Sequence, residues 1–551
     1  MVKAWIENCE ASHILCCSKE GNTVPSRLID VGDGDSQQAR LVLVSPEAMD
    51  VDRLRYVALS YCWGTKSDTP SFTESPEFAT TEWTIKQYLI SLPTELLPKT
   101  ILDAIAFTKS LGVRYLWADS LCIMQGQSTE AREDWARESS KMASVYGGAW
   151  LTIAAAWGSS MHDGLFTIRP HDSTDHIDIG LESLEDDSCK GTLRLVPKHD
   201  LPVDSMEEPL YTRAWALQER VLSKRVLICN RDQFVWECQG HCFAESGFRL
   251  KSIGAMRLDQ VFLDKLGSES MAFRNTWQCI VTDYCHKALT NPFDKLPAIG
   301  GLARKFHALR PDDTYLAGLW KNSLFDDLLW VHRAIDWYDN QGRYLMVAPT
   351  SLQKRNKPQG YRAPSWSWAS IDGDVRWKFS HNNGTGKCHA QLLDYSLAPR
   401  GSDTFGQLRG GYITLRAPLW QLSEEMKRYL LDPNVLYDHA EFRKIVTYGE
   451  GREEETESER YRLQSWVSGA TMDSHREGCS LGEILGDTKA ENTDLFFLKV
   501  RDSISLILSS AKGSGGGAQR CYERVGVYGG DENKWGTPIP TSFTETVCKL
   551  I

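Results

Sequence analysis

Short uninterrupted apolar runs alternate with helix-spaced segments from about residue 55 onward. "YVALSYC" (56–62), "VRYLWA" (113–118), "AWLTIAAA" (149–156) and "RVLICN" (225–230) are apolar at nearly every position rather than at every second one. That pattern predicts strands covered on both faces. Between the first two runs, "LPKTILDAIAFTKSLG" (97–112) places Ile101, Ile105 and Thr108 at helical spacing and offers Gly112 as a C-terminal stop. Residues 129–147 read as a second helix. Strands alternating with helices imply right-handed crossovers and a mainly parallel sheet, the α/β class.

Further along, the pattern changes. Residues 251–335 read as mostly helical, with "DKLPAIGGLARKFHAL" and "LAGLWKNSLFDDLLWVH" carrying apolar residues at three- and four-residue intervals. After "RAPSWSWASIDG" (362–373) the chain turns β-rich, in "CHAQLLDYSL" and "GGYITLRAPLWQL". The acidic run "EGREEETESERYR" (450–462) and "GSGGG" (513–517) read as solvated loops, and the latter lacks the GK[ST] ending of a phosphate-binding loop. The expected organisation is an N-terminal segment (1–54), an α/β domain (55–250), a helical extension packed on it (251–375) and a β-rich C-terminal region (376–551).

Composition narrows the functional classes. A chain of 551 residues with 42% hydrophobic residues and 19 tryptophans is a folded protein of more than one domain. A net charge of −11 without a local basic cluster argues against nucleic acid as a partner. The N-terminus lacks the apolar stretch of a secretory signal, and no window approaches a membrane span, so the expectation is a soluble cytoplasmic protein with no membrane partner. Its 15 cysteines are odd in number and scattered, which suits reduced thiols. Cys238, His241 and Cys242 fall together in "WECQGHC", yet zinc needs a fourth ligand and none is visible at matching spacing. The expectation is therefore no metal.

Candidate chemistry gathers where strands end, because ligands of open parallel sheets bind at the carboxyl ends. Asp119 follows "YLWA" directly, with Cys122 and Gln125 close behind, and Cys62, Trp63 and Gly64 follow "VALSY". If those strands are neighbours, both groups line one cleft. Asp119 reads equally as a cap for local amides, and the two cysteines as buried core. On the helix after the second strand, Trp135, Glu138, Met142, Val145, Tyr146 and Ala149 share one face. Glu138 therefore points inward, where a carboxylate is either ion-paired, with an arginine such as Arg114 or Arg213, or functional. In "TRAWALQERVLSKRVLICN" (212–230), Trp215 and Gln218 share a helical face with Glu219 beside it, and Arg213 stands at the start. That segment reads either as an anion-binding element or as a docking helix.

Three blocks, "YVALSYCWG", "RYLWADSLCIMQ" with "DWARESSKMASVYGGAWLTIAAA", and "TRAWALQERVLSKRVL", resemble in order the signature of the HET (heterokaryon incompatibility) domain of filamentous fungi. The resemblance covers about residues 55–246, with family-like phrases downstream in "DKLPAIGGLA", "YLAGLW" and "RAPSWSWASIDG". It departs at Gly126, where many relatives carry an acid. The HET domain is in turn similar to TIR domains, which implies a flavodoxin-like core. Trp135-x-x-Glu138 resembles the TIR helix that carries a catalytic glutamate, with Ala136 in place of its cysteine.

These resemblances imply self/non-self recognition or cell-death signalling, acting through cleavage of the nicotinamide–ribose bond of NAD. Glu138 and Asp119 would be catalytic, Trp63 or Trp135 would stack on a ring, and Arg213 would meet the diphosphate. NAD would be a substrate, with no resident cofactor. Two alternatives stay open: a non-enzymatic module that assembles with its own copies or with another HET-type partner, and a metabolic enzyme that reuses the cleft for another small molecule.

Overall fold

The computed structural model describes residues 1–17, 24–32, 38–45, 50, 54–64, 78–167, 177–182, 190–195, 208–247, 267, 269–332, 336–338, 344–346, 360–373, 375–377, 387–421, 494–501, 504–511, 521–529 and 544–551. The acidic run at 450–462 and the "GSGGG" at 513–517 lie outside the described residues. The chain forms two compact units, Met1–Tyr315 with Pro399–Gln407, and Leu316–Ala398 with Leu408–Ile551.

In the first unit the strands are β1 (Arg27–Asp30), β2 (Arg40–Leu43), β3 (Tyr56–Ser60), β4 (Tyr115–Trp117), β5 (Leu151–Ala154), a separate hairpin β6 (Ile177–Glu182) and β7 (Lys190–Leu195), then β8 (Arg225–Cys229), β9 (Phe234–Cys238) and β10 (Cys242–Ala244). Eight of them make one sheet in the order β10-β9-β8-β5-β3-β4-β1-β2. The four apolar runs of the sequence are its centre, β8-β5-β3-β4, and they pair in parallel. Every position of β3, β5 and β8 is buried, as expected of strands covered on both faces.

The sheet is mixed rather than mainly parallel, because two antiparallel strands flank the centre on each side. Connection length explains one side. Four residues join β8 to β9 and three join β9 to β10, far short of the dozen a parallel crossover needs.

The helices of this unit are α1 (Val2–Ser12), α2 (Ile14–Cys17), α3 (Ile85–Tyr88), α4 (Lys99–Ser110), α5 (Asp119–Cys122), α6 (Thr129–Gly148), α7 (Ala214–Leu222), α8 (Ser270–Cys285) and α9 (Pro297–Leu309). In α4 the buried face is Thr100, Ile101, Ala104, Ile105 and Thr108, and the chain leaves it through Gly112 at φ 76°. The α6 helix starts at Ser128, whose side chain accepts from the Ala131 amide, and buries Ala131, Asp134, Glu138, Met142, Val145 and Tyr146. Both helices pack into one apolar core with β3, β4 and β5. The α9 helix comes close to α6 and α7 because Gly301 has no side chain: a Cβ there would stand 2.5 Å from that of Ala143 and 2.6 Å from Gln218 Oε1.

The second unit is β-rich. Leu408–Gln421, Leu495–Arg501, Ile504–Ser510, Cys521–Gly529 and Thr544–Leu550 pair in that order, and the last returns to the first, closing a five-stranded barrel. The helix expected over 316–332 does not form. Ala317 and Gly318 take φ 48° and 100°, and a Cβ on Gly318 would lie 2.5 Å from Trp368 Nε1. A 3₁₀ turn at Lys321–Ser323 and one α-helical turn at Leu324–Asp327 are all that is helical before the strand Trp330–His332. Tertiary bonds outweigh periodicity here: Trp368 Nε1 donates to the Gly318 carbonyl at 2.9 Å, and Asp327 accepts from the Trp320 amide at 3.0 Å. Among the described residues, no helix is long and apolar enough to cross a membrane.

Candidate active site

Three chain segments meet at the carboxyl end of the parallel strands. The end of β3 supplies Ser60, Tyr61, Cys62 and Trp63, the end of β4 supplies Asp119, and α7 supplies Arg213 from its N-cap and Glu219 from its body. β3 pairs with both β4 and β5, so the two strand ends read from sequence are indeed neighbours.

Hydrogen bonds bind these groups into one cluster. Ser60 Oγ donates to the Glu219 carboxylate, and the Arg213 guanidinium donates to the Tyr61 carbonyl. Trp63 Nε1 donates to Asp119 Oδ2 at 3.0 Å, and the Ser120 amide to Asp119 Oδ1 at 2.7 Å. Asp119 thus caps a local amide and also reaches across to the β3 loop. Tyr61 Oη donates to Ser120 Oγ at 2.7 Å, and Tyr146 Oη to the Leu59 carbonyl at 3.1 Å with Glu219 beside it. Glu219, Ser60, Tyr61 and Cys62 are buried, whereas Trp63, Gly64, Asp119 and Arg213 reach solvent in part. Gly64 turns the chain at φ 106°, a conformation that favours glycine.

Burial dominates the electrostatics. It pushes the Glu219 carboxyl up to about 7, although Arg213 and Ser60 pull the other way. Burial also raises Asp119, against Arg213, the Ser120 amide, Tyr61 and Trp63. For Arg213 burial opposes the charge, but Cys62, Glu219 and Asp119 around it outweigh that and hold its pKa above the ordinary value. Two carboxyl groups with weakened acidity therefore flank one fixed cation, an arrangement typical of sites that handle developing positive charge or protons near neutrality.

The remaining candidates serve other contacts. Burial pushes the Cys122 thiol up to about 12 and raises Cys62 as well, so neither is a thiolate at neutral pH. Gln125 donates from Nε2 to the Ile123 and Asp119 carbonyls, at 3.0 and 3.3 Å, and shapes the loop. Trp135 packs against the core. Gln218 accepts from the Gly301 amide at 3.2 Å, and Trp215 donates toward Asp294, so both face α9 and the turn before it.

Glu138 is inward, as its helical position requires, and the side-chain donors around its carboxylate converge on Oε1, leaving Oε2 with one long contact. Ser26 Oγ donates to Oε1 at 2.7 Å, Lys141 Nζ at 3.1 Å and Arg137 Nε at 3.3 Å, while the Ser26 amide approaches Oε2 at 3.4 Å. Its ion-pair partners are thus neighbours on α6 rather than Arg114 or Arg213; Arg114 pairs with Asp30 instead. Burial opposes its ionisation, but Ser26 and Lys141 prevail and hold the pKa below the usual carboxylate range. Next to it, buried Arg27 pairs with buried Asp134 and donates to the Cys122 carbonyl at 2.7 Å, which ties β1 and α6 to the loop behind Asp119.

Sequence reasoning missed Ser60, Tyr61, Tyr146 and Ser26 as members of these networks. The first two sat inside an apolar run and read as strand; Tyr146 was placed on the correct face of α6 but as core; Ser26 precedes a four-residue strand with no periodic signal. The trio Cys238, His241 and Cys242 is divided by the fold: Cys242 packs in a core cluster with Leu210, Ala216 and Val226, while the Cys238 sulfur meets His13.

No curated protein and no solved structure matches the chain. Residues 56–219 match the family model described as Heterokaryon incompatibility protein (HET). The matched stretch opens with the first residue of β3, ends at Glu219, and contains Ser60, Tyr61, Asp119, Tyr146 and Arg213. Residues 56–219 therefore form a heterokaryon incompatibility (HET) domain, and that domain carries the whole of this cluster.

Proposed function

We propose that this protein acts in heterokaryon incompatibility as a cytoplasmic trigger of cell death, by hydrolysing NAD at the nicotinamide–ribose bond with Glu219 and Asp119 as the working carboxylates. The observation that carries this reading is Glu219: a buried carboxylate with a pKa of about 7, fixed by Ser60 and Arg213 at the carboxyl end of β3. Counted along the chain, the parallel strands β3, β4, β5 and β8 stand in the order 2-1-3-4, which supports a flavodoxin- or TIR-like core. In such a core the ligand crevice opens beside the first strand, where connections leave to opposite sides.

The chemistry requires little else. Nicotinamide leaves as a neutral base with the bonding electron pair, so no general acid is needed. The anomeric carbon gains positive charge, which an ionised carboxylate stabilises. Water then adds its oxygen to that carbon and loses one proton, for which a carboxylate of pKa about 7 is a suitable acceptor. Arg213 suits the diphosphate and the half-exposed Trp63 suits a ring face. Glu138, whose Oε1 already accepts from Ser26, Lys141 and Arg137, takes a structural part in this reading.

Nicotinamide release from NAD by the purified full-length protein tests the proposal. Turnover that falls at least about 100-fold in Glu219→Gln and stays within about threefold in Glu138→Gln supports it. Absence of nicotinamide release from the wild-type protein refutes the hydrolysis. Loss of activity in Glu138→Gln alone would return the catalytic role to α6.

A further inference from the structure

We infer that Cys9, His13, Cys16 and Cys238 bind a structural zinc ion that fastens the N-terminal helices α1 and α2 to the C-terminal end of β9. This site is separate from the Glu219 cluster and independent of the NAD reading. Four potential ligand atoms, three sulfurs and one imidazole nitrogen, all lie within 4.8 Å of one another. His13 Nδ1 is 3.4 Å from Cys238 Sγ. A tetrahedral zinc with sulfur at about 2.3 Å and nitrogen at about 2.0 Å sets such ligands roughly 3.6 Å apart. The three cysteines are buried and none is in a disulfide.

The surroundings fit a metal better than they fit packed thiols. Cys238 ends β9, and the tight turn Gln239-Gly240-His241 closes with its amide donating to the His241 carbonyl at 2.9 Å. The amides of Gly240 and His241 are aimed back at the Cys238 sulfur, the usual support for a metal-bound thiolate. Gly240 is needed to seat the imidazole, since a Cβ there would stand 2.5 Å from His13 Nε2. The His241 ring packs edge-on against that of His13, with centroids 4.6 Å apart.

Charge balance points the same way. Arg225 is buried, and its guanidinium contacts Cys9 Sγ at 3.3 Å and Cys17 Sγ at 3.4 Å, while the carboxylate of Glu10 is 3.9 Å away. Three thiolates around a divalent ion carry one net negative charge, which is what that buried cation requires. Four protein ligands leave no open position, so the ion is structural rather than catalytic. The expectation of no metal rested on the local group of Cys238, His241 and Cys242. The partners of Cys238 lie instead in a C-x3-H-x2-C stretch, with His13 225 positions away.

Metal analysis of the tag-free, full-length protein should find about one zinc per chain. Replacement by cobalt should give the intense visible bands and sulfur-to-metal charge transfer of a tetrahedral three-sulfur site, which tests the ligands without any mutation. Cys238→Ser and His13→Ala should each lower zinc occupancy at least about tenfold, with Cys388→Ser, outside the cluster, retaining it. A chelator should lower the melting temperature of the wild-type protein. Zinc below about 0.1 per chain after zinc-replete expression, a Cys16–Cys238 disulfide in the native protein, or cobalt bands of an oxygen-rich site would each overturn the assignment.

Discussion

Ser60 Oγ donates a hydrogen bond to the Glu219 carboxylate, joining the last residue of β3 to the middle of α7 across 159 positions of sequence. Through that bond a carboxyl group is held beneath the surface beside Arg213, in a place where its ionisation is costly. The consequences reach both stability and activity.

Glu219 should make stability fall with rising pH. Its folded pKa of about 7 exceeds the ordinary value of 4.5, so the native state holds more protons than the unfolded chain between those limits. The stabilisation linked to that proton is complete below about pH 4.5 and is lost as the pH rises through about 7. A shift of that size corresponds to about 3 kcal/mol. Melting curves of wild type and Glu219→Gln from pH 5 to 8 check this: the variant should lack that part of the decline, and parallel curves would show that Glu219 does not titrate in this range.

Glu138 should behave in the opposite sense. Its depressed pKa stabilises the fold above the unfolded value, and that contribution disappears as the pH drops through the folded one. Glu138→Gln keeps the bond from Ser26, while Lys141 and the half-exposed Arg137 can turn to water. A loss of about 1–2 kcal/mol is expected at pH 7, read from urea midpoints, with NAD turnover preserved.

Asp134 should prove more costly to remove. It is buried, pairs with buried Arg27 and accepts from the Met124 amide at 2.8 Å. Asp134→Ala strands the arginine and should destabilise by about 3–5 kcal/mol. Chemical denaturation measures this, and a loss under about 1 kcal/mol would mean that Arg27 finds another partner.

Gly301→Ala tests the approach of α9 to α6 and α7. Alanine is the better helix former by about 1 kcal/mol, yet its methyl group would collide with Ala143 and Gln218. The clash should win, giving a net loss of about 1–2 kcal/mol and a lower melting temperature. A more stable variant would show that the helices can separate at little cost.

What the sequence by itself determined was the centre of the first unit. Each of the four central strands is short, apolar on both faces and bounded by polar turns, and α4 and α6 carry a 3.6-residue period; these signals depend only on near neighbours in the chain. That Asp119 and the Cys62–Gly64 loop lie close together was legible only on the condition that their strands are neighbours, which the pairing of β3 with β4 meets. Tertiary structure decided the rest. The spacing that turned Glu138 inward could not say that Ser26 and Lys141 would occupy it, nor that Glu219, beside the apolar face of α7, would become the buried carboxylate of the cluster. The periodic run at 316–332 gave way to turns because the Trp368 ring takes the space beside Gly318. Cys238 met Cys9, His13 and Cys16 only after the chain had folded. Ser26 with Glu138, Ser60 with Glu219 and His13 with Cys238 are brought together across more than a hundred residues, and local periodicity carries no record of such distances.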